Sequence, residues 1–143
     1  MVKISIVYEG QLRCALTHGP SGRIIRTDAP KDNMGRGEDF SPTDLVAAAL
    51  GSCMLTVMGI VALRHSIDLK GTTVDVTKEM AAVPVRRIGS MTVTFHMPGD
   101  IPQDKRAMLE AAAHSCPVHK SLHPDVQTPI QFIYPPSESA FSK

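Results

Sequence analysis

Residues 41–65, SPTDLVAAALGSCMLTVMGIVALRH, decide the fold. Ser41 is an N-cap residue, Pro42 suits the first helical position, and Asp44 stands near the positive end of the helix dipole. Apolar residues then run on to about His65, which predicts a helix about 35 Å long at roughly 1.5 Å per residue. It is apolar on most of its circumference, so burial on most sides is expected. Cys53 lies deep inside it and shares a face with Leu50, Val57 and Ile60 by i−3, i+4 and i+7 spacing.

Upstream, residues 1–28 read as a three-strand meander. Val2, Ile4, Ile6 and Tyr8 alternate with polar neighbours, as in a half-buried strand. Glu9-Gly10 turns the chain into a second strand carrying Leu12, Cys14 and Leu16 on one face. HGPSG at 18–22 is turn material, and Arg23 to Thr27 reads as a third strand. Residues 29–40, APKDNMGRGEDF, hold two glycines, a proline and mixed charges without periodicity, and are expected to form an exposed loop.

Downstream, residues 67–97 hold two strands. One alternates through Val74, Val76 and Met80, the other through Met91, Val93, Phe95 and Met97, with VPVRRIG between them. Residues 100–123 predict a second, kinked helix with Met108, Leu109 and Ala112 inward and a break at Pro117. A last strand spans 128–134, and the tail PPSESAFSK is expected to fray. Strands segregated from helices indicate an α+β fold of antiparallel sheets with two helices, in a single domain over 1–143.

Charge and composition narrow the functional classes. The formal net charge is +1 and aromatics make up 4% of the chain, with no Trp. Neither an anionic polymer nor base stacking is favoured, so no nucleic-acid partner is expected. MVKISIVYEG alternates instead of forming an apolar block, so no signal peptide is expected. Polar and small residues (Gly51, Ser52, Cys53, Thr56, Gly59) interrupt the longest apolar run, so no membrane span is expected either. Three cysteines without a leader suit a reducing compartment, and the cytoplasm is the expected location.

Chemistry rests on Cys53 and Cys116. Taken alone, a free cysteine on an apolar helix face is a small core residue, and burial works against a thiolate unless a cation is near. Arg36, on the glycine-hinged segment GRGEDF, is the candidate cation, because a guanidinium stays charged and can hold both a thiolate and a peroxide oxygen. Cys116 lies in AAAHSCPVHKSLHPD, where Pro117 opens a new turn and makes Cys116 N-cap-like. Position alone would make Cys116 the thiolate, and spacing leaves open which sulfur attacks first. Cys14, between Leu12 and Leu16, reads as core. Cys116, His119 and His123 have Cys-x2-His-x3-His spacing, so a zinc site using these three is the competing expectation.

SPTDLVAAALGSC, followed much later by HSCPVH, resembles the OsmC/Ohr family of hydroperoxide-reducing proteins over nearly the whole chain in element order. The resemblance implies an intertwined homodimer with two long helices packed centrally between sheets and active sites at the subunit interface. It implies that Cys53 is peroxidatic and that Cys116 resolves it, overriding the preference from position. The Cys53 thiolate, held by Arg36 or alternatively Arg23, would attack an organic hydroperoxide and become a sulfenic acid. Cys116 would close a disulfide, and an external dithiol would reduce it. Leu50, Met54, Val57 and Met58 are expected to line an apolar pocket for the alkyl group, and no cofactor or metal is called for. Two positions depart from the family: Thr43 stands where well-characterised members carry glutamate, and Asp44 is about 100° further round the helix. No arginine matches the family's upstream arginine motif: in HGPSGR its place falls to Pro20, with Arg23 nearby.

Overall fold

The computed structural model describes residues 1–136. The expected fraying of the tail lies, from residue 137 on, outside the described residues. The chain divides into two compact units, Met1–Val46 and Ala47 onward. The boundary falls within helix α1 (Pro42–Arg64).

The first unit is an antiparallel meander in the order β1-β2-β3, with β1 at Ile4–Gly10, β2 at Arg13–His18 and β3 at Ile24–Asp28. The alternation in the sequence reflects one apolar face. Ile6 pairs with Leu16, Leu16 with Ile25, Tyr8 with Cys14 and Cys14 with Thr27, so their side chains line the same side. The expected half-burial of the first strand is corrected, however. Ile4, Ile6 and Tyr8 are 57%, 62% and 63% exposed, because that face is open to solvent in the single chain. Leu12 belongs to the hairpin turn and not to the strand. Gln11 and Leu12 take φ of 55° and 63°, the left-handed geometry of a two-residue hairpin loop.

Residues 29–40 form the expected loop, with a single 3-10 turn at Lys31–Asn33. Buried Asp28 holds its base: the Glu38 amide donates to Asp28 Oδ2 at 3.1 Å, and Arg13 reaches the same oxygen at 3.4 Å and also pairs with Glu38. Gly35 is required here, since a Cβ would overlap the Ala29 carbonyl. Ser41 and Asp44 then cap α1 reciprocally. The Asp44 amide donates to Ser41 Oγ at 3.1 Å, and the Ser41 amide donates to Asp44 Oδ2 at 2.9 Å.

In the second unit, β4 (Thr73–Ala81) pairs antiparallel with β5 (Arg87–His96). The chain then passes through α2 (Arg106–His114) and α3 (Pro117–Ser121) and returns as β6 (Ile130–Ile133), parallel to β5. The expectation of antiparallel sheets is corrected at this pair: the helical crossover brings β6 back in the same direction as β5. Leu50, Met54, Met58, Met91, Val93, Phe95 and Leu109 are fully buried, and Phe95 stacks on Phe132 at 4.7 Å between centroids.

From Ala47 on, α1 buries one stripe: Ala47, Leu50, Gly51, Met54, Met58 and Ala62. Gly51 marks its closest approach to the sheet, where a Cβ would come within 2.8 Å of Val76 Cγ2 on β4. Ala48, Ala49, Ser52, Thr56, Ile60 and Leu63 remain exposed, Leu63 at 80%. Burial on most sides is therefore corrected to burial on one. By length and composition alone α1 is apolar enough to cross a membrane, despite the small and polar residues that interrupt it, and only 33% of its most apolar stretch is buried.

Candidate active site

Cys53 sits on the flank of α1, half-buried, next in sequence to Met54 of the buried stripe. Cys116 is fully buried at the junction of two helices. The last turn of α2 closes there, with the Ser115 amide and hydroxyl both donating to the Ala112 carbonyl. Pro117 prevents α2 from continuing and, with its fixed φ, starts α3 at N1. Cys116 is thus the N-cap of α3, as its neighbours predict, and its Sγ accepts the His119 amide at 3.4 Å.

The fold brings the two cysteines close enough to act on each other: Cys53 bears directly on the ionisation of the Cys116 thiol. Burial pushes the Cys116 thiol up, and the neighbouring Cys53 thiol pushes it the same way. The His119 and Val118 amides pull it down, less than these combined effects. The acidity expected from the cap position is therefore corrected, because desolvation and a neighbouring sulfur outweigh two amides on a five-residue helix. Cys116 holds its proton beside Cys53.

Other expected residues are placed as follows. Leu50, Met54 and Met58 are packed to zero exposure in the core, and Val57 is half-buried on the same side of α1 as Cys53. The zinc expectation fails on geometry, since among the described residues no three His, Cys, Asp or Glu side chains converge. His119 Nε2 is engaged by Thr128 Oγ1 at 2.9 Å, and His123 Nδ1 accepts the Asp125 amide at 3.0 Å, so the two rings serve separate local bonds. Arg36 and Arg23 are exposed members of the first unit, and the backbone at Arg36 helps hold the Asp28 carboxyl low. Thr43 Oγ1 shares a hydrogen bond with Ser41 Oγ at 3.2 Å, and the Asp44 carboxylate is turned back on the cap. Cys14 is half-buried on β2.

Two clusters in the second unit escape sequence reasoning. His119 and Thr128 are one. In the other, Tyr134 donates to Glu110 Oε2 at 3.0 Å while the Arg106 guanidinium lies 4.0 Å from the centre of its ring. Burial first, then the Glu110 carboxylate, pushes Tyr134 up to about 12. The i, i+4 spacing of Arg106 and Glu110 puts them on one helix face, but nothing local names Tyr134.

A family pattern described as OsmC-like protein matches residues 35–131. A protein from Psychrobacter arcticus 273-4, named for osmotic stress induction and a detoxification response, is 42% identical in a solved structure. The match covers 93% of this chain and 96% of that one, with a TM-score of 0.87. The organic hydroperoxide resistance protein OsmC of Legionella pneumophila is 18% identical, covering 92% and 96%, with a TM-score of 0.75. An organic hydroperoxide resistance protein of Elizabethkingia anophelis is 16% identical, covering 94% and 96%, also at 0.75. These last two speak to the fold alone. No curated protein sequence matches.

Proposed function

The chain belongs to the OsmC-like protein family, and from that premise we propose that it is a thiol peroxidase acting on organic hydroperoxides. The proximity of Cys116 to Cys53, close enough for one thiol to shift the other, carries this reading, because it puts a second thiol where an oxidised Cys53 would need one. The Cys53 thiolate attacks the outer peroxide oxygen, the O–O bond breaks, and the alkoxide leaves to take up a proton as alcohol. Cys53 is left as a sulfenic acid. The Cys116 sulfur then displaces its hydroxyl group, forming the disulfide and releasing water. An external dithiol restores both thiols by exchange, itself becoming a disulfide.

Arg36, or alternatively Arg23, supplies the guanidinium that holds the thiolate in this reading, and the cytoplasm is its site of action. The organic substrate class follows the hydroperoxide resistance proteins that share the fold. The active unit is a homodimer. The sheet face of Ile4, Ile6 and Tyr8 and the α1 face of Ile60 and Leu63 are apolar and uncovered, and a second copy would remove both from water.

The test is consumption of cumene hydroperoxide by wild type, Cys53→Ser and Cys116→Ser with a dithiol reductant. The reading expects Cys53→Ser to be inactive and Cys116→Ser to stall at an oxidised state without a disulfide. Full turnover by Cys53→Ser would overturn it. A second reading, a redox-responsive dimer with negligible turnover, is favoured by Thr43 in place of the glutamate that the family resemblance leads one to expect. It predicts one stoichiometric oxidation of wild type followed by a negligible steady-state rate.

A further inference from the structure

We propose that His119 is a positioning residue for the resolving thiol, acting through a clasp between its imidazole and Thr128. This rests on the peroxidase reading for its purpose, but its geometry is independent of it. Cys116 caps a helix of only five residues, and a helix this short has little stability of its own. Its place must be set by what grips it from outside. His119 is the third residue of that helix. Its amide donates to Cys116 Sγ at 3.4 Å, and its ring Nε2 shares a 2.9 Å hydrogen bond with Thr128 Oγ1.

Thr128 is itself firmly held. The carbonyls on either side of it, from Gln127 and Pro129, accept the Met91 and Val93 amides of β5 at 2.8 and 2.9 Å, and the Gln127 amide donates to the Gly89 carbonyl at 3.0 Å. One side-chain bond therefore ties the turn that carries Cys116 to the central strand of its sheet. His119 Nδ1 is buried without a hydrogen-bond partner. A buried nitrogen left bare is a cost, and the ring is kept there by its other nitrogen. Losing the clasp frees the first turn of α3, and with it the sulfur that has to meet Cys53.

The chemistry discriminates between replacements. Glutamine places an amide nitrogen near the position of histidine Nε2 and can bond Thr128, whereas asparagine reproduces only the nearer nitrogen. The first measurement equilibrates wild type, His119→Ala, His119→Gln, His119→Asn and Thr128→Val with dithiol buffers and reads the fraction of Cys53–Cys116 disulfide. The equilibrium constant for closure should fall about tenfold, roughly 30 mV, in His119→Ala, His119→Asn and Thr128→Val. His119→Gln should stay near wild type, and His119→Ala/Thr128→Val should be no worse than either single change. The second measurement needs no redox cycle and uses a Cys14→Ser/Cys53→Ser parent. Iodoacetamide should alkylate Cys116 several-fold faster than in that parent when His119→Ala, His119→Asn or Thr128→Val is added. Adding His119→Gln should leave the rate close to the parent's.

Failure of wild type to form the disulfide would sink the peroxidase reading while the alkylation rates still decide the clasp. Equal rates across the series, rescue by asparagine as good as by glutamine, or additive effects in the double variant would overturn the clasp.

Discussion

Gly51→Ala is the sharpest single test of how α1 lies on its sheet. In an exposed helix this change gains about 1 kcal/mol, because glycine loses more backbone freedom on folding. Here the new Cβ would come 2.8 Å from Val76 Cγ2 and 3.3 Å from Val74 Cγ1, the first about 0.6 Å short of ordinary contact at 3.4 Å. Both neighbours are β-branched and stiff at χ1, so relief requires α1 to lift or β4 to bend. Overpacking of this kind costs about 1–3 kcal/mol. The opposing effects leave a net loss of about 1 kcal/mol. Urea unfolding at a fixed protein concentration measures it, with an unchanged m-value as the sign that the unfolded state is unaltered. Val76→Ala removes the offending methyl, so the double variant should be at least about 1 kcal/mol more stable than the sum of the single effects implies. A Gly51→Ala protein more stable than wild type would refute the close approach. Cys53 lies two residues on and moves with the helix, so its contact with Cys116 should weaken in parallel.

Met54 is fully buried, so Met54→Ala should cost about 2–5 kcal/mol in the same unfolding experiment, while an exposed neighbour, Ser52→Ala, should change little. Asp28 is held below the ordinary carboxylate value of 3.8, first by the Glu38 amide and also by Arg13, against the opposing effect of burial. Its contribution is present above pH 3.8 and is lost as pH falls through the lower folded value. The protection of the Glu38 amide relative to its intrinsic exchange rate should therefore fall in that acid window, and Asp28→Asn should remove that change. Tyr134 is raised from 10 to about 12, so its stabilisation is complete below pH 10 and lost as pH rises through 12. Absorbance at about 295 nm should show a tyrosinate transition near pH 12 that vanishes in Tyr134→Phe and moves down in Glu110→Gln.

Local chemistry made the helix readable. A serine cap, a proline at the first position and an aspartate that closes the cap all point to one start, and the structure begins α1 at Pro42. Alternation likewise marked β1, β4 and β5. It could not say what covers a face: Ile6 reads as an inward residue whether the cover comes from the same chain or from another. Leu12 was misread because a left-handed turn usually advertises itself with Gly or Asn, and here Gln11 and Leu12 adopt it. The parallel pairing of β6 depends on where a long crossover returns the chain, which periodicity does not encode. The meeting of Cys53 and Cys116 is of the same kind. Spacing showed a helix-face thiol and a cap thiol; only family resemblance suggested that they met.

In the proposed peroxidase cycle, the roles of the two sulfurs would follow from the environment and not from the cap. A cap amide favours negative charge on Cys116, yet the thiol is raised because burial and an adjacent sulfur act together against that charge. For a resolving cysteine this is the useful direction. When Cys53 is a sulfenic acid, the departing group is a hydroxyl, and hydroxide is a poor leaving group without a proton. A Cys116 that keeps its S–H until then would bring that proton to the sulfenic acid. Sulfur–sulfur bond formation and release of water can then draw on the same hydrogen. A Cys116 ionised in the resting protein would arrive as the stronger nucleophile but would repel a Cys53 thiolate and leave the hydroxyl unassisted.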